Sequence, residues 1–213
     1  MTAAPTSWWW VRHAPIVGAP GRIYGQTDVG CDTGDGQSFR ALAALLPSDA
    51  VWVISSLRRT RETVQAISAA GMAVPEPLVE PDFAEQNFGH WQGLKWEEMQ
   101  AADPAVYAAF WRNPTRNAPP GGESYVAQIE RTRAAVERLT AEHPGRNVVS
   151  VSHGGTIRAA VAVALDLTPE AAMAVVVDNL SVTRINHVED GLLRARAGVW
   201  QVQGVNMPCR WIR

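Results

Sequence analysis

Arginine and histidine residues follow three separate apolar runs of this sequence. Arg12 and His13 come directly after the first run, Arg59 lies a few residues after the second, and His153 follows the third after one serine. The three runs are residues 8–11, 51–54 and 148–151. Guanidinium and imidazole groups are donors that bind phosphate and carboxylate oxygens. The repeated pattern therefore indicates an anion-binding site.

The arginines after the second run lie in the predicted first turns of a helix, in the segment SSLRRTRET. A cation at a helix N-terminus opposes the helix dipole, at a cost of about 0.3–1 kcal/mol. We expect Arg58 and Arg61 to extend into solvent. Arg59 is better explained by an anion that its guanidinium shares with the helix N-terminus.

Two glycines, Gly154 and Gly155, follow His153. Glycine lets the backbone come close to a ligand and donate its N–H groups, so Gly154 is a candidate pocket residue. The alternative is a tight strand-to-helix turn around a packed imidazole. The presence of Arg12 and His13 after another strand favours the ligand site.

The sequence has none of the common patterns for a metal or a nucleotide cofactor. Cys31 and Cys209 are far apart, and there is no HxxH, HxxxH or CxxC pair. The P-loop, the Rossmann glycine pattern and the GxSxG elbow are also missing. We therefore expect neither a metal nor a cofactor.

The apolar periodicity predicts strands and helices in alternation. The predicted strands are residues 7–12, 51–54, 148–151, 180–185 and 192–200, with a turn at 189–191 before the last. The predicted helices are residues 37–46, a segment from Ser55-Ser56 to about 70, 96–102, 105–111, a segment from 123 to about 143, and 155–165. Such alternation predicts an α/β fold with a largely parallel sheet, in which ligands bind beyond the carboxyl ends of the strands.

Size and charge exclude other classes of partner. The chain has 213 residues and a formal net charge of −2, which gives no general attraction to nucleic acid or to an anionic membrane. The first residues lack a basic segment followed by a long apolar one, and no segment is apolar enough to span a bilayer. We expect a cytoplasmic protein, and exposed tryptophans would support a homodimer.

Five motifs, in order along the chain, resemble those of the histidine phosphatase superfamily, which is also called phosphoglycerate mutase-like. They are VRHAP, SSLRRTRET, EQNFGHWQG, PPGGES and SHGG. The segment IYGQTDV at residues 23–29 is similar to the branch of α-ribazole phosphatases. The resemblance implies a three-layer α/β/α sandwich with a mostly parallel central sheet. It also implies one histidine phosphatase domain over residues 1–213, with an insertion of helices and loops around 82–122 that covers the site.

The resemblance also assigns roles by motif position. His13 would be the nucleophile that becomes phosphohistidine, and Glu85 would donate a proton to the leaving alcohol. Arg12, Arg59 and His153 would hold the phosphoryl oxygens, His153 as a catalytic imidazolium. Further candidates for the substrate pocket are Tyr24, Gln26, Glu123 and Gly154. Tyr24, Tyr107, Phe110 or Trp111 could stack on a ring of the substrate.

The chain departs from the usual motifs at three places. Ala14 follows Arg12-His13 where Gly or Thr is more common, Gln92 replaces a frequent Glu, and Gly18 or Ala19 stands where many members have Asn. The missing Asn points away from the mutases.

The implied function is hydrolysis of a small phosphomonoester without metal, with α-ribazole phosphate of cobalamin biosynthesis as one substrate. Two alternatives remain: a phosphoglycerate mutase-type phosphotransferase, and a non-catalytic member that binds a phosphorylated ligand. Only Arg22, Arg112 and Arg116 add positive charge in the loops at 16–35 and 113–122 or next to them, which favours hydrolysis over the mutase.

Overall fold

The three apolar runs form neighbouring strands in a computed structural model, which describes residues 4–18, 20–189 and 199–210. Among these residues the strands are β1 (Thr6–Arg12), β2 (Val51–Ile54), β3 (Leu78–Val79), β4 (Asn147–Ser152), β5 (Val182–Val188) and β6 (Val199–Met207). The α-helices are α1 (Gly36–Leu45), α2 (Arg58–Ala69), α3 (Trp96–Ala102), α4 (Pro104–Trp111), α5 (Tyr125–Glu142), α6 (Gly154–Leu165) and α7 (Pro169–Met173).

The six strands form one sheet in the order β3-β2-β4-β1-β5-β6. The first four strands in this order are parallel, whereas β5 and β6 are antiparallel to their neighbours. The prediction of a mostly parallel sheet is therefore confirmed. Because β1, β2 and β4 are parallel and adjacent, their carboxyl ends meet at one edge of the sheet.

Helices cover both faces of the sheet, as the three-layer prediction requires. Along β1, Trp8 and Trp10 pack with α5 and α6, whereas Val11 packs on the opposite face with α1 and α2. A strand buried on both faces is apolar at every position, which explains the run of tryptophans. Trp8 and Trp10 stack with ring centroids 4.9 Å apart, and Phe83 packs edge-on against both.

The observed elements differ from the predicted ones at a few places. The edge strand β3 and the helix α7 were not predicted, since two and five residues are too short for a periodic pattern. Strand β5 begins at Val182 rather than at 180, because Leu180 has a left-handed backbone (φ +59°), far from the extended conformation of a regular strand. Strand β6 begins at Val199 and runs to Met207, well beyond the predicted end at 200. Residues 192–198 of that predicted strand, and Asp190 and Gly191 of the predicted turn, lie outside the described residues.

The helices are short or charged. The longest one described is α5 with 18 residues, and it carries arginines and glutamates on its outer side. Helix α6 is more apolar but has 12 residues. In the part of the chain that the structure describes, no helix is both long and apolar enough to cross a membrane.

Candidate functional site

A cavity of about 470 Å³ lies at the carboxyl ends of β1 and β4 and beside the start of α2. Five of the predicted site residues line it, which are Arg12, His13, Tyr24, Arg59 and Glu85. The other lining residues are Ile16, Arg22, Ile23, Gly25, Gln86, Phe88, Trp96, Trp111, Tyr125, Gly155, Arg158 and Met173. The sheet edge predicted from the three apolar runs is therefore the floor of a cavity.

His13 is held with one ring nitrogen turned to the backbone. Its Nδ1 lies 2.7 Å from the carbonyl oxygen of Ala14. A carbonyl can only accept, so Nδ1 carries the proton and Nε2 keeps its lone pair. Burial, with a further contribution from Arg59, lowers the pKa of His13 to about 3. His13 is therefore neutral at pH 7, as a nucleophilic imidazole has to be.

His153 is fully buried, and both of its ring nitrogens are bonded. Nδ1 accepts a hydrogen bond from Nε of Arg59 (3.2 Å), so Nε2 carries the proton and donates to Oγ of Ser55 (2.7 Å). Burial and the nearby Arg59 lower the pKa of His153 well below its usual value. The structure thus differs from the prediction in the charge of His153, whereas the predicted contact of His153 with a phosphoryl oxygen stays a prediction. His153 is neutral and holds Arg59, and it does not line the cavity.

Arg59 is the buried arginine of the SSLRRTRET segment. Besides His153, its guanidinium donates to the carbonyls of Thr27 (3.0 Å) and Gly25 (2.7 Å). Three of its five N–H groups are used in this way, which leaves two for an anion. Arg58 and Arg61 are solvent-facing and pair with Glu62 and Glu76, as expected from the sequence.

Arg12 stands on the other side of His13. Its Nη1 donates to the carbonyl of Val177 (2.6 Å), whereas its buried Nε has no partner among the described residues. Burial lowers the pKa of Arg12, and the charge of Glu85 acts in the opposite direction. We call Arg12, His13, Arg59 and His153 the strand-end cluster.

Glu85 faces the cluster with its carboxylate fixed by three N–H donors. Oε1 accepts from the backbone of Gln86 (3.0 Å) and from the side chain of Gln128 (3.1 Å), and Oε2 accepts from the backbone of Gly155 (3.2 Å). A Cβ at position 155 would lie 2.2 Å from Oε1 of Glu85. Only glycine therefore lets the start of α6 come this close to the carboxylate.

Hydroxyl groups of β4 and α6 fix the segment that leads to Glu85. The carbonyl of Phe83 accepts hydrogen bonds from Ser152 and Thr156, both at 3.1 Å. Phe83 itself packs against the stacked tryptophans of β1. The chain before Glu85 is therefore attached to the strands that carry His13 and His153.

Gln26 and Glu123, two predicted pocket residues, support Glu85 instead and do not line the cavity. Gln26 donates to the carbonyl of Glu85 (2.9 Å). Glu123 pairs with Arg131 (2.8 Å), and Arg131 donates to the same carbonyl of Glu85 (3.2 Å). Their polar groups are thus bonded inside the protein, and a direct contact of either residue with the substrate stays a prediction.

Gly154 also lies beside the cavity rather than in its lining, since Gly155 is the lining residue. A Cβ at position 154 would meet Nε of Arg12 at 3.6 Å, an ordinary contact distance. Gly18 packs closely on Tyr24. It is one of the two positions at which the motif comparison expects the Asn of many family members. Ala19 lies outside the described residues.

Apolar side chains surround the mouth of the cavity. We call Phe88, Trp96, Trp111 and Met173 the rim. Trp96 and Trp111 are 38% and 44% exposed, and their ring centroids are 5.4 Å apart. Of the four predicted stacking residues, Tyr24 and Trp111 line the cavity, whereas Phe110 is buried against Trp91 and Tyr107 packs on Trp111.

The prediction missed four polar residues around the cavity: Ser55, Tyr125, Gln128 and Arg158. Arg158 could have been found, because it lies one helical turn after Gly154 and Gly155 and so on the same face of the helix. The side chain of Gln128 is buried on α5, where a polar residue needs a partner. Among the described residues no three His, Cys, Asp or Glu side chains are placed to hold a metal ion.

The comparisons with known proteins agree with this geometry. Residues 8–197 match the family model of the histidine phosphatase superfamily (branch 1). The chain is 34% identical over 154 residues to a metal-independent phosphoserine phosphatase of Arabidopsis thaliana, which covers 70% of this chain. The matched region spans 64% of the length of that plant protein.

Solved structures show the same fold. The native structure of a mycobacterial glucosyl-3-phosphoglycerate phosphatase is similar at a TM-score of 0.78 and 28% identity, over 95% of this chain and 99% of the other. The α-ribazole phosphatase of Shigella flexneri is similar in fold at a TM-score of 0.80 and 20% identity, over 95% of this chain and 97% of the other. The match over residues 8–197, together with the phosphoglycerate mutase-like fold, shows that this chain belongs to branch 1 of the histidine phosphatase superfamily.

Proposed function

We propose that the protein is a metal-independent phosphomonoesterase that forms a phosphohistidine on His13. The observation that carries the proposal is the state of His13: it is neutral, its Nδ1 is bonded to Ala14, and it lines a cavity with Arg12, Arg59 and Glu85. Nε2 is the ring nitrogen left to attack. Both arginines have N–H groups left for phosphoryl oxygens.

In the first half of the reaction, Nε2 of His13 attacks phosphorus while the bond to the substrate's alcohol oxygen breaks. The charge of a phosphoryl group in transfer is spread over its three equatorial oxygens, so fixed cations stabilise it. Arg12 and Arg59 supply these charges, and His153 keeps Arg59 in position. Glu85 gives its proton to the leaving oxygen, and the alcohol departs.

In the second half, the Glu85 carboxylate takes a proton from a water molecule that attacks the phosphohistidine. The N–P bond breaks, inorganic phosphate leaves, and His13 is again neutral with its proton on Nδ1. Glu85 is protonated once more, ready for the next substrate. The same carboxyl group thus serves as general acid in the first step and as general base in the second.

The substrate is a small phosphorylated metabolite. The relatives' names supply three candidates for this chain: phosphoserine, glucosyl-3-phosphoglycerate and α-ribazole phosphate. We also propose that residues 82–122 cover the site within one domain, since Glu85, Phe88, Trp96 and Trp111 of this segment line the cavity.

The test is a phosphatase assay with p-nitrophenyl phosphate and the three candidate substrates. The wild type should release phosphate, and His13→Ala should lose at least about 10⁴-fold in kcat, since it removes the nucleophile. His90→Ala is the matched control, because His90 is an exposed histidine that does not line the cavity. Near wild-type activity of His13→Ala would overturn the assignment.

Two further measurements complete the test. Acid quench during turnover, followed by intact-mass measurement, should show one added phosphoryl group on the wild type and none on His13→Ala. EDTA should leave the rate unchanged, because guanidinium groups provide the positive charge in the proposed steps. A large loss with EDTA would contradict a metal-independent mechanism.

A further inference from the structure

Of the four arginines that line the cavity, Arg158 lies outside the strand-end cluster and has no carboxylate partner among the described residues. Arg22 and Arg158 both line the cavity outside the strand-end cluster. Arg22 pairs with Glu98 at 2.9 Å, whereas no carboxylate of the described residues lies within ion-pair distance of Arg158. The charge of Arg22 is therefore paired with that of Glu98, whereas the charge of Arg158 is not paired with any carboxylate of the described residues.

Arg158 is held next to Arg12 by one short segment after α7. Nε of Arg158 donates to the carbonyl of Val175 (2.7 Å), and Nη1 of Arg12 donates to the carbonyl of Val177 (2.6 Å). The two like charges thus line the same cavity, where the charge of Arg158 adds to the burial that lowers the pKa of Arg12, and an anion close to both would be stabilised. Among the described residues no hydrogen bond engages the two terminal nitrogens of Arg158, the pair that binds an oxyanion in bidentate fashion.

A buried hydroxyl group without a partner lies in the same part of the cavity. Tyr125 is 3% exposed and lines the cavity, and its Oη has no hydrogen-bond partner among the described residues. Buried polar groups are nearly always bonded, so an unpaired one at a cavity wall indicates a ligand atom. The charges of Arg158 and Glu85 both act on this hydroxyl, which places it near each of them.

We propose that Arg158 and Tyr125 bind a second oxyanionic group of the substrate, either a carboxylate or a second phosphate. The proposal rests on the proposed phosphatase function and narrows its substrate class. Arg158 lies one helical turn from Gly154 and Gly155, a rise of about 4.5–6 Å. The second anionic group is therefore separated from the transferred phosphate by a short spacer of a few atoms.

The experiment compares substrates that differ in one anionic group. O-phosphoserine and O-phosphoethanolamine differ by a carboxylate, and glucose 1,6-bisphosphate and glucose 6-phosphate differ by a second phosphate. We expect the wild type to prefer the more anionic member of at least one pair by tenfold or more in kcat/KM. The pair that shows the preference identifies which anionic group is bound.

Substitutions then assign the preference to these residues. Arg158→Gln should reduce the preference at least tenfold, mainly through KM, and Tyr125→Phe should reduce it about threefold. Arg158→Lys should restore part of it, because it returns the charge without the bidentate geometry. Arg40→Gln removes the same charge from α1, outside the cavity, and should leave the preference unchanged.

The outcomes separate this proposal from the proposed function. If the wild type hydrolyses phosphomonoesters but prefers neither anionic member, or if Arg158→Gln keeps the preference, the second anion site is wrong and the phosphatase function stands. If the wild type hydrolyses none of these substrates and no p-nitrophenyl phosphate, the proposed function fails and the second site with it.

Discussion

The floor and the rim of the same cavity are built in opposite ways. On the floor, His13, Arg59 and His153 are almost fully buried and are held by hydrogen bonds to other parts of the protein, which leave Nε2 of His13 and two N–H groups of Arg59 for a ligand. At the rim, Trp96 and Trp111 are more than one third exposed and contact each other and neighbouring rings. From this difference we expect fixed geometry on the floor to govern the proposed reaction and the exposed rim to contribute mainly to substrate binding.

The sharpest test of a fixed floor is Glu85→Gln, which keeps the shape of the side chain and removes the proton to be transferred. We expect a loss of about 10²–10⁴-fold in kcat for alkyl phosphates with poor leaving groups. The loss on p-nitrophenyl phosphate should be much smaller, because its phenolate needs little protonation. Steady-state kinetics on both substrates provide the measurement, and equal losses would argue against the acid role.

Two adjacent glycines test the geometry of the floor without removing a functional group. Gly155→Ala places a methyl group 2.2 Å from Oε1 of Glu85, so we expect the carboxylate to move and kcat to fall about 10²-fold. Gly154→Ala meets its nearest neighbour at 3.6 Å and should lose far less. Similar losses in the two variants, at equal thermal stability, would show that the contact with Glu85 does not decide activity.

Acid should lower the free energy of unfolding through the floor, because the strand-end cluster contains two buried neutral histidines. The pKa of His13 is about 3 in the folded protein and near 6.5 in the unfolded chain, so the unfolded chain binds more protons between these values. The free energy of unfolding therefore falls as the pH falls from 6.5 toward 3. His13 alone contributes a loss of about 2 kcal/mol between pH 7 and pH 5.

Urea unfolding at pH 7 and pH 5 measures this effect. His153 is lowered in the same direction, so the wild type should lose more than His13 alone contributes. His13→Gln removes one titrating group and should show a smaller difference between the two pH values. A pH difference that is the same in His13→Gln and the wild type would show that His13 is not held neutral.

The smallest effect is expected at the rim. Trp111→Ala should raise KM about 2–10-fold for a substrate with an aromatic ring, which corresponds to about 0.5–1.5 kcal/mol for one ring contact. KM for an aliphatic phosphate should change less, and the melting temperature should hardly move because the side chain is 44% exposed. If kcat fell as strongly as in Gly155→Ala, the contrast between floor and rim would be wrong.

The sequence alone was sufficient for the sheet edge and for most of the floor. Strands that are buried on both faces are apolar throughout, and the residue that ends such a run is conspicuous when it is Arg12 or His153. Burial of Arg59, and not of Arg58 or Arg61, also followed from the cost of a cation at a helix N-terminus. These signals are local, so a pattern of a few residues contains them.

The remaining features depend on contacts between distant parts of the chain. Glu123 is the glutamate of the PPGGES motif, yet only the folded structure shows that its carboxylate forms an ion pair with Arg131. Nothing in the motif of His153 reveals that Ser55 and Arg59 bond to its two ring nitrogens. Arg22 has an ion-pair partner, Glu98, that is distant in the sequence, and Arg158 has none among the described residues. No local sequence pattern contains this difference.

The central place of β1 in the sheet has a consequence for the order of events during synthesis. The first strand made pairs with β4 on one side and with β5 on the other, and both come from the last third of the chain. The carbonyl of His13 also accepts from Asn179, and that of Arg12 from Leu180. A nascent chain therefore holds His13 without its final neighbours until nearly all of the described sequence has left the ribosome. We therefore expect the proposed activity to appear only late in synthesis, and its appearance would report that the sheet is complete.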